Sequence, residues 1–214
     1  MANGRDRGHP LVGEIRIYVE GGGDSKDSRA AVRQGFRIFF DQLVEKARKR
    51  RIKWQVIACG GRDQAHDDFE TALKTHQEAF NVLLVDSEGE VQQEARTHLR
   101  VRDGWPLATA SSEQCHLMVQ MMEGIIADTD ALDRFYRQGF NVGAIPRNPD
   151  VERIRKEDIE RGLENATRPT KARRYHKIQH GPKILAMLNV AMVRRAAPHC
   201  QNLFETIELK IAEP

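Results

Sequence analysis

Short apolar runs alternate with helical patterns in the first half of the chain. Three β-strands are predicted: 14–19 (EIRIYV), in which apolar and polar residues alternate, 52–58 (IKWQVIA), and 80–85 (FNVLLV), a nearly continuous apolar run. Apolar residues recur with helical spacing over 26–50 and 62–76, which predicts a helix in each connection. This β-α-β-α-β order requires crossover connections, so we expect an α/β fold with a mostly parallel sheet flanked by helices on both faces.

Beyond residue 85 the pattern becomes predominantly helical. The predicted helices cover 88–100, 116–126, 130–138, 150–165 and 182–193, with a loop over 101–112 and a linker around Pro169. We therefore expect a flexible N-terminus over 1–13, an α/β domain over 14–140, and a helical, basic C-terminal extension over 141–214 that packs on that domain.

Composition excludes several protein classes. Forty per cent of the 214 residues are hydrophobic, which is typical of globular proteins and argues against disorder. No stretch of about 18 uncharged apolar residues occurs, and the first residues lack the apolar segment of a secretory signal, so no membrane contact is expected. Three isolated cysteines fit neither a disulfide framework nor a structural zinc site, which indicates a cytoplasmic protein.

Charge is distributed unevenly along the chain. The stretch from Asn165 to Phe204 contains no Asp or Glu but many Lys and Arg residues, and a second basic run covers 46–53. Clustered basic side chains neutralise phosphates, so a polyanion such as nucleic acid is a candidate partner. The alternative for both segments is a solvated surface, and for 46–53 the C-terminal dipole of the predicted helix is a sufficient explanation.

Acidic residues follow two of the three predicted strands. Glu20 comes directly after the first strand, and Asp86 and Glu88 follow the third. Ligands of parallel α/β sheets bind outside the carboxyl ends of the strands, and residues two apart in an extended chain point the same way. Three carboxylates that meet there would repel one another unless a divalent cation lay between them, and Mg²⁺ or Mn²⁺ is the suitable ion. The alternative is that solvent-exposed loops commonly carry acids.

The order of these residues resembles the signature of the Toprim fold, which topoisomerases, bacterial primases, small ribosomal-RNA maturases and nucleases of the overcoming-lysogenization-defect type share. The matching segments are YVEGGGD (18–24) and LLVDSE (83–88). The resemblance implies that Glu20 is a general acid/base or a metal-linked carboxylate, and that Asp86 and Glu88 are metal ligands. Glu88 departs from the commoner Asp-x-Asp pattern, but its longer side chain can still bind a metal.

Other segments resemble DUF4276, a Toprim-like family. They are CGGRDQAHDDF (59–69), HLMVQMMEGIIAD (116–128), ATRPTKARRYHKIQHG (166–181) and APHCQNLF (197–204). The resemblance covers nearly the whole chain from about residue 14, and it implies a Toprim-like architecture for the predicted sheet.

Phosphate-binding residues are predicted around the acids. Gly22 and Gly23 would let backbone amides approach a phosphate, although a tight turn alone also explains them. Arg62, at the start of the second helical segment, is placed to bind phosphate. The basic stretch supplies further candidates for contacts with nucleic acid, namely Lys171, Arg173, Arg174 and Lys177.

A second group of residues has competing structural explanations. Asp24 follows the glycines, and Glu123 and Asp128 could complete a second metal position, but Asp128 is better explained as a helix N-cap. His176 and His180 could assist proton transfer, although isolated histidines more often have structural roles.

The leading functional hypothesis is a metal-dependent nuclease that acts on DNA or RNA, in a bacterial defence context. One alternative is a non-catalytic partner or sensor subunit of an ATPase complex, because Toprim-like proteins of this kind often accompany ATPases and this chain has no P-loop motif of its own. Another is phosphotransfer or nucleotide hydrolysis on a small molecule at the same acids. Primase and topoisomerase activities are not expected, since the chain lacks the additional domains that they need.

Overall fold

The computed structural model describes residues 12–118 and 121–213, and of residues 121–123 it describes the backbone alone. The segment 1–13, predicted to be flexible, lies outside the described residues apart from 12 and 13. Within the described part of the chain, no helix has both the length and the apolar character needed to cross a membrane.

A four-stranded parallel sheet forms the centre of the molecule. Its strands are β1 (Glu14–Glu20), β2 (Lys53–Gly60), β3 (Ala79–Asp86) and β4 (Cys115–Met118). They lie in the order β2-β1-β3-β4, so β1 pairs with both β2 and β3. The predicted helix-flanked, mostly parallel sheet is confirmed, and the first and third strands are neighbours.

Helices cover both faces of this sheet. They are α1 (Lys26–Phe39), α2 (Asp41–Lys49), α3 (Arg62–Thr75), α4 (Ala95–Asp103), α5 (Met121–Ile126), α6 (Thr129–Tyr136), α7 (Lys156–Thr167), α8 (Lys177–Leu185), α9 (Val190–Ala196) and α10 (Pro198–Ala212). The predicted helices 26–50 and 182–193 are each divided in two, and α4 begins seven residues later than the predicted 88–100 helix.

The predicted helix over 116–126 is wrong at its start. Residues 116–118 belong to β4, which pairs with β3 in the register Leu84↔His116 and is mostly buried. A short apolar run fits a buried strand and a buried helix equally well, and here pairing with the edge of β3 decides the outcome.

The core has two layers, one on each face of the sheet. Ile17 and Leu84 point to the layer formed with α1, α2 and the C-terminal helices, and Leu83 points to the layer with α3 and α4. Phe204 of α10 is fully buried, and its ring centroid lies 5.7 Å from that of Phe39. The C-terminal helices thus complete one face of the same core.

Candidate metal centre

Two adjacent strands bring the predicted acidic residues together. Val19 of β1 pairs with Leu84 of β3, so Glu20 and Asp86, the last residues of these strands, lie at the same edge of the sheet. Carboxylate oxygens of Glu20, Asp86 and Glu88 lie within 4.8 Å of one another. Each side chain offers one oxygen to the common centre, so the cluster could hold a metal ion.

A turn, rather than an extended chain, positions Glu88. Its φ is 57°, in the left-handed region, so the expected extended geometry of residues 86–88 is wrong. The Ser87 N–H donates to the Met118 carbonyl at 2.8 Å, and the Ser87 hydroxyl donates to the Gly89 carbonyl, also at 2.8 Å. These bonds fix the turn that directs Glu88 back towards Asp86.

Each acid of the cluster has a basic neighbour. Lys177 Nζ lies 2.8 Å from Asp86 Oδ2, and Lys156 Nζ lies 3.7 Å from Glu88 Oε2. Arg62 Nη1 lies 3.3 Å from Glu20 Oε2. Two of these cations come from helices α7 and α8, so the C-terminal part of the chain balances charge at the end of the sheet.

Arg62 is held firmly by other protein groups. Its Nε and Nη2 donate to the two carboxylate oxygens of Asp103, at 3.0 and 2.7 Å, and its guanidinium lies 5.1 Å from the Trp105 ring centroid. Nη1 also donates to the Asp86 carbonyl. Arg62 was expected at the site as a phosphate ligand, whereas Asp103 and Trp105 were not expected there. Asp103 is the last residue of α4, so the predicted loop over 101–112 is wrong at its start, and within that stretch no spacing pattern distinguished either residue.

One oxygen of Asp86 has no hydrogen-bond partner within the described part of the chain. Asp86 is only 5% exposed, and its Oδ1 is buried without a donor among the described residues. An unpaired carboxylate oxygen in such a position is costly, whereas a bound cation would satisfy it. A cavity of about 140 Å³ opens beside Asp86, with room for several water molecules, and Glu20 and Lys177 line it too. The all-oxygen donor set and the unpaired Oδ1 of Asp86 fit a hard divalent ion.

Burial and charge shift the protonation equilibria at the centre. Burial, together with the nearby Asp86 carboxylate, raises the pKa of Glu20. Burial works against the charged form of Lys177, but attraction to Asp86 and the other two acids outweighs it and raises the lysine pKa. Lys177 therefore stays protonated at neutral pH, while Glu20 holds a proton more readily than an exposed glutamate.

The glycine loop forms a tight turn beside the acids. Gly22 has a φ of 94°, and a Cβ added there would lie 2.8 Å from the Arg29 Cα. Gly21 and Gly60 exchange N–H···O bonds of 2.9 and 3.1 Å, which tie the loop to the end of β2. Gly22 and Gly23 both line the cavity at Asp86. The turn itself requires glycine, and close approach to a phosphate stays a prediction.

The predicted basic residues divide into two groups. The first group forms ion pairs: Lys177 pairs with Asp86 of the acidic cluster, and Arg174 lies 3.2 Å from Glu164 on α7. Lys171 and Arg173 are exposed in the turn between α7 and α8. Among the residues described, neither of these two contacts the cluster. Lys156, which sequence reasoning missed, is one of many charges on a predicted helix and carried no distinguishing signal.

Several secondary candidates have structural contacts. Asp128 is 1% exposed and accepts from the amides of Ala131 at 3.0 Å and Asn189 at 2.7 Å, so it caps α6 as expected. His176 caps α8, and His180 Nδ1 lies 3.0 Å from the Tyr136 hydroxyl. Asp24 is exposed beyond the glycine turn. The side chain of Glu123 lies outside the described residues.

Comparison with known families agrees with the resemblance seen in the sequence. Residues 19–208 match the model of DUF4276, a domain of unknown function, and this match covers most of the 214-residue chain. No curated protein and no solved structure gives a match. The chain, with its parallel sheet and the acidic cluster at the end of β1 and β3, belongs to the DUF4276 family.

Proposed function

We propose that this protein is a metal-dependent phosphodiester-processing enzyme, a nuclease acting on DNA or RNA, with Mg²⁺ or Mn²⁺ held by Glu20, Asp86 and Glu88. The observation that carries the proposal is the convergence of three carboxylates within 4.8 Å around a buried, unpaired Asp86 oxygen. The Toprim-like order of these acids and the basic stretch 165–204 support nucleic acid as the substrate.

A divalent ion bound there would stabilise negative charge on a phosphoryl group and favour ionisation of a bound water. The chain's own residues have separate tasks. Lys177 keeps its charge beside Asp86 and has a half-exposed side chain that can donate to a non-bridging phosphate oxygen. Glu20, with its raised pKa, can take up or return a proton at its carboxylate. Arg62, anchored by Asp103, is a positioning residue for Glu20.

Purified protein incubated with single- and double-stranded DNA and RNA tests this proposal. We expect cleavage in Mg²⁺ or Mn²⁺, none in EDTA, and a loss of at least 100-fold in Glu20→Gln and in Asp86→Asn, since removing a metal ligand or a proton-transfer group typically costs this much.

Glu90→Gln is the matched control, because Glu90 is an exposed acid two residues beyond Glu88. It removes the same charge, from the loop that follows Asp86, and should leave cleavage unchanged. Cleavage that persisted in both Glu20→Gln and Asp86→Asn would come from another site or a contaminant, and would refute the proposal.

A second candidate is a non-catalytic partner or sensor subunit of an ATPase complex. One observation favours it: each acid of the cluster already has a basic neighbour, so the chain can balance this charge without an ion. Calorimetric titration with Mn²⁺ separates the two candidates. Binding that Asp86→Asn abolishes supports the enzyme. No Mn²⁺ binding, together with wild-type function of the Glu20→Gln/Asp86→Asn double variant in cells, would favour the partner.

A further inference from the structure

An open cavity of about 470 Å³ lies between α7 and the segment that precedes it. Its volume is in the range of ligand-binding pockets. Four arginines line it, against a single aspartate, Asp158, among the described lining residues. The four are Arg147, Arg153, Arg155 and Arg161, and together they are called the arginine cavity below.

Ion pairs orient three of these arginines without occupying all of their N–H groups. Arg155 Nε donates to Asp158 at 2.9 Å, and Arg161 pairs with the other oxygen of the same aspartate. Arg153 Nε donates to Asp150 at 3.1 Å. The side chains of Arg153, Arg155 and Arg161 are 80%, 75% and 67% exposed, and exposed pairs of this kind are weak. Each guanidinium therefore keeps N–H groups for a ligand.

The chemistry of the lining favours phosphate groups. A planar guanidinium matches two phosphate oxygens at once, and several arginines together select a multiply charged anion. The N-cap of α7 is Arg155, which provides no side-chain acceptor for the first amides of this 12-residue helix. The first turn of α7 also carries Glu157 and Asp158, so the arginines, rather than the helix dipole, supply the positive charge at the cavity.

Helix α7 connects the arginine cavity to the metal centre. Its first residue, Lys156, reaches Glu88 at 3.7 Å, while its neighbour Arg155 lines the arginine cavity. Arg161 lies five residues further on, about 7.5 Å along the helix axis at 1.5 Å per residue. Successive phosphates of one strand rise by about 3.4 Å along a duplex axis, but they lie further apart through space because the backbone winds around that axis, so this span corresponds to about one nucleotide.

We infer that the arginine cavity binds backbone phosphates of a nucleic-acid strand, one or more nucleotides from the phosphate that lies at the metal centre. The inference rests on the proposed nuclease function, because the ligand is the same strand. It assigns to α7 two tasks: Lys156 faces the acids, and Arg155 and Arg161 hold the strand beyond them.

Binding measured without cleavage tests this inference. Fluorescence anisotropy with labelled single-stranded DNA and RNA 12-mers, in EDTA and over a series of salt concentrations, gives the dissociation constant and its salt slope. The double variant Arg155→Gln/Arg161→Gln should bind about tenfold or more weakly, and the slope of log K against log salt should fall by about 1.4, since each single-strand phosphate contact contributes about 0.7. Arg33→Gln/Arg37→Gln on the exposed side of α1 removes the same charge and should bind like the wild type.

The outcomes distinguish this inference from the proposed function. Weaker binding and a lower salt slope in the α7 variant support the inference even if the wild type does not cleave in Mg²⁺ or Mn²⁺. The lack of cleavage would refute the proposed nuclease function but not the binding of a strand at the arginine cavity. Wild-type affinity and slope in the α7 variant overturn the inference, whether or not cleavage occurs. Binding of the wild type to a glutamate-rich peptide but to neither nucleic acid would overturn it as well.

Discussion

Replacing Lys177 by methionine removes the closest counter-charge of the buried Asp86 carboxylate. The pair is 2.8 Å apart, with Asp86 almost fully buried and the Lys177 side chain 49% exposed. Exposed ion pairs contribute about 0–1 kcal/mol, while breaking a fully buried one costs about 3–5 kcal/mol. This half-buried pair lies between these limits, so we expect Lys177→Met to lose about 2 kcal/mol of unfolding free energy in EDTA.

A divalent ion should reverse this loss. An ion bound by the three carboxylates supplies Asp86 with the positive charge that the variant lacks, and a ligand that binds the native state stabilises it. If the whole deficit is recovered, the variant must bind the ion more tightly than the wild type by about 2 kcal/mol, which is about 30-fold in Kd.

Urea unfolding followed by circular dichroism, in EDTA and in saturating Mn²⁺, measures both quantities. Lys183→Met is the matched control, because it removes an exposed lysine from the same helix, α8. The double variant Asp86→Asn/Lys177→Met should show no stabilisation by Mn²⁺. A deficit of equal size with and without Mn²⁺ would mean that Lys177 and the ion do not share Asp86, and the assignment of the metal centre would fail.

Three further predictions concern stability. Burial lowers the pKa of His116 to about 4, so between pH 6.5 and 4 the unfolded chain binds a proton that the native state does not. The unfolding free energy should therefore fall by about 3 kcal/mol as the pH drops through this window. The same pH series on His116→Gln should not show this loss of about 3 kcal/mol. In chemical denaturation, Gly22→Ala should lower the unfolding free energy by about 2–4 kcal/mol, because the φ of Gly22 is 94° and an added Cβ would lie 2.8 Å from the Arg29 Cα. Gly89→Ala is the control, because no atom of the described residues other than Gly89 and its chain neighbours lies within 4 Å of the added Cβ, and it should cost less than about 1 kcal/mol. Equal losses in the two variants would contradict the account of the turn. Phe204→Ala should lose about 3–5 kcal/mol and the exposed Leu209→Ala less than about 0.5 kcal/mol, and a mild effect at Phe204 would show that α10 is not part of the core.

Local patterns were sufficient for the elements whose side chains follow one periodicity. The strand at 80–85 is apolar on both faces, and it is buried between two helical layers in the structure. Residues 116–118 were predicted as helix, because a run of three residues shows no periodicity of its own, and α10 was predicted only as an undivided part of the helical extension over 141–214. Helix lengths were also misjudged where the chain turns within an apolar pattern, as at Phe40 between α1 and α2.

The sequence by itself determined the parallel α/β sheet and the placement of Glu20 and Asp86 at one edge, because crossover connections align the strands and each acid directly ends its strand. Only the tertiary structure decided which cations meet these acids. Lys177 contacts Asp86 across 91 positions of the chain, and Arg62 depends on Asp103, 41 positions away. Such contacts arise from the packing of whole helices on the sheet, and no short-range pattern of residues records that packing. The turn that directs Glu88 to Asp86 likewise depends on the bond from Ser87 to Met118 of the neighbouring strand.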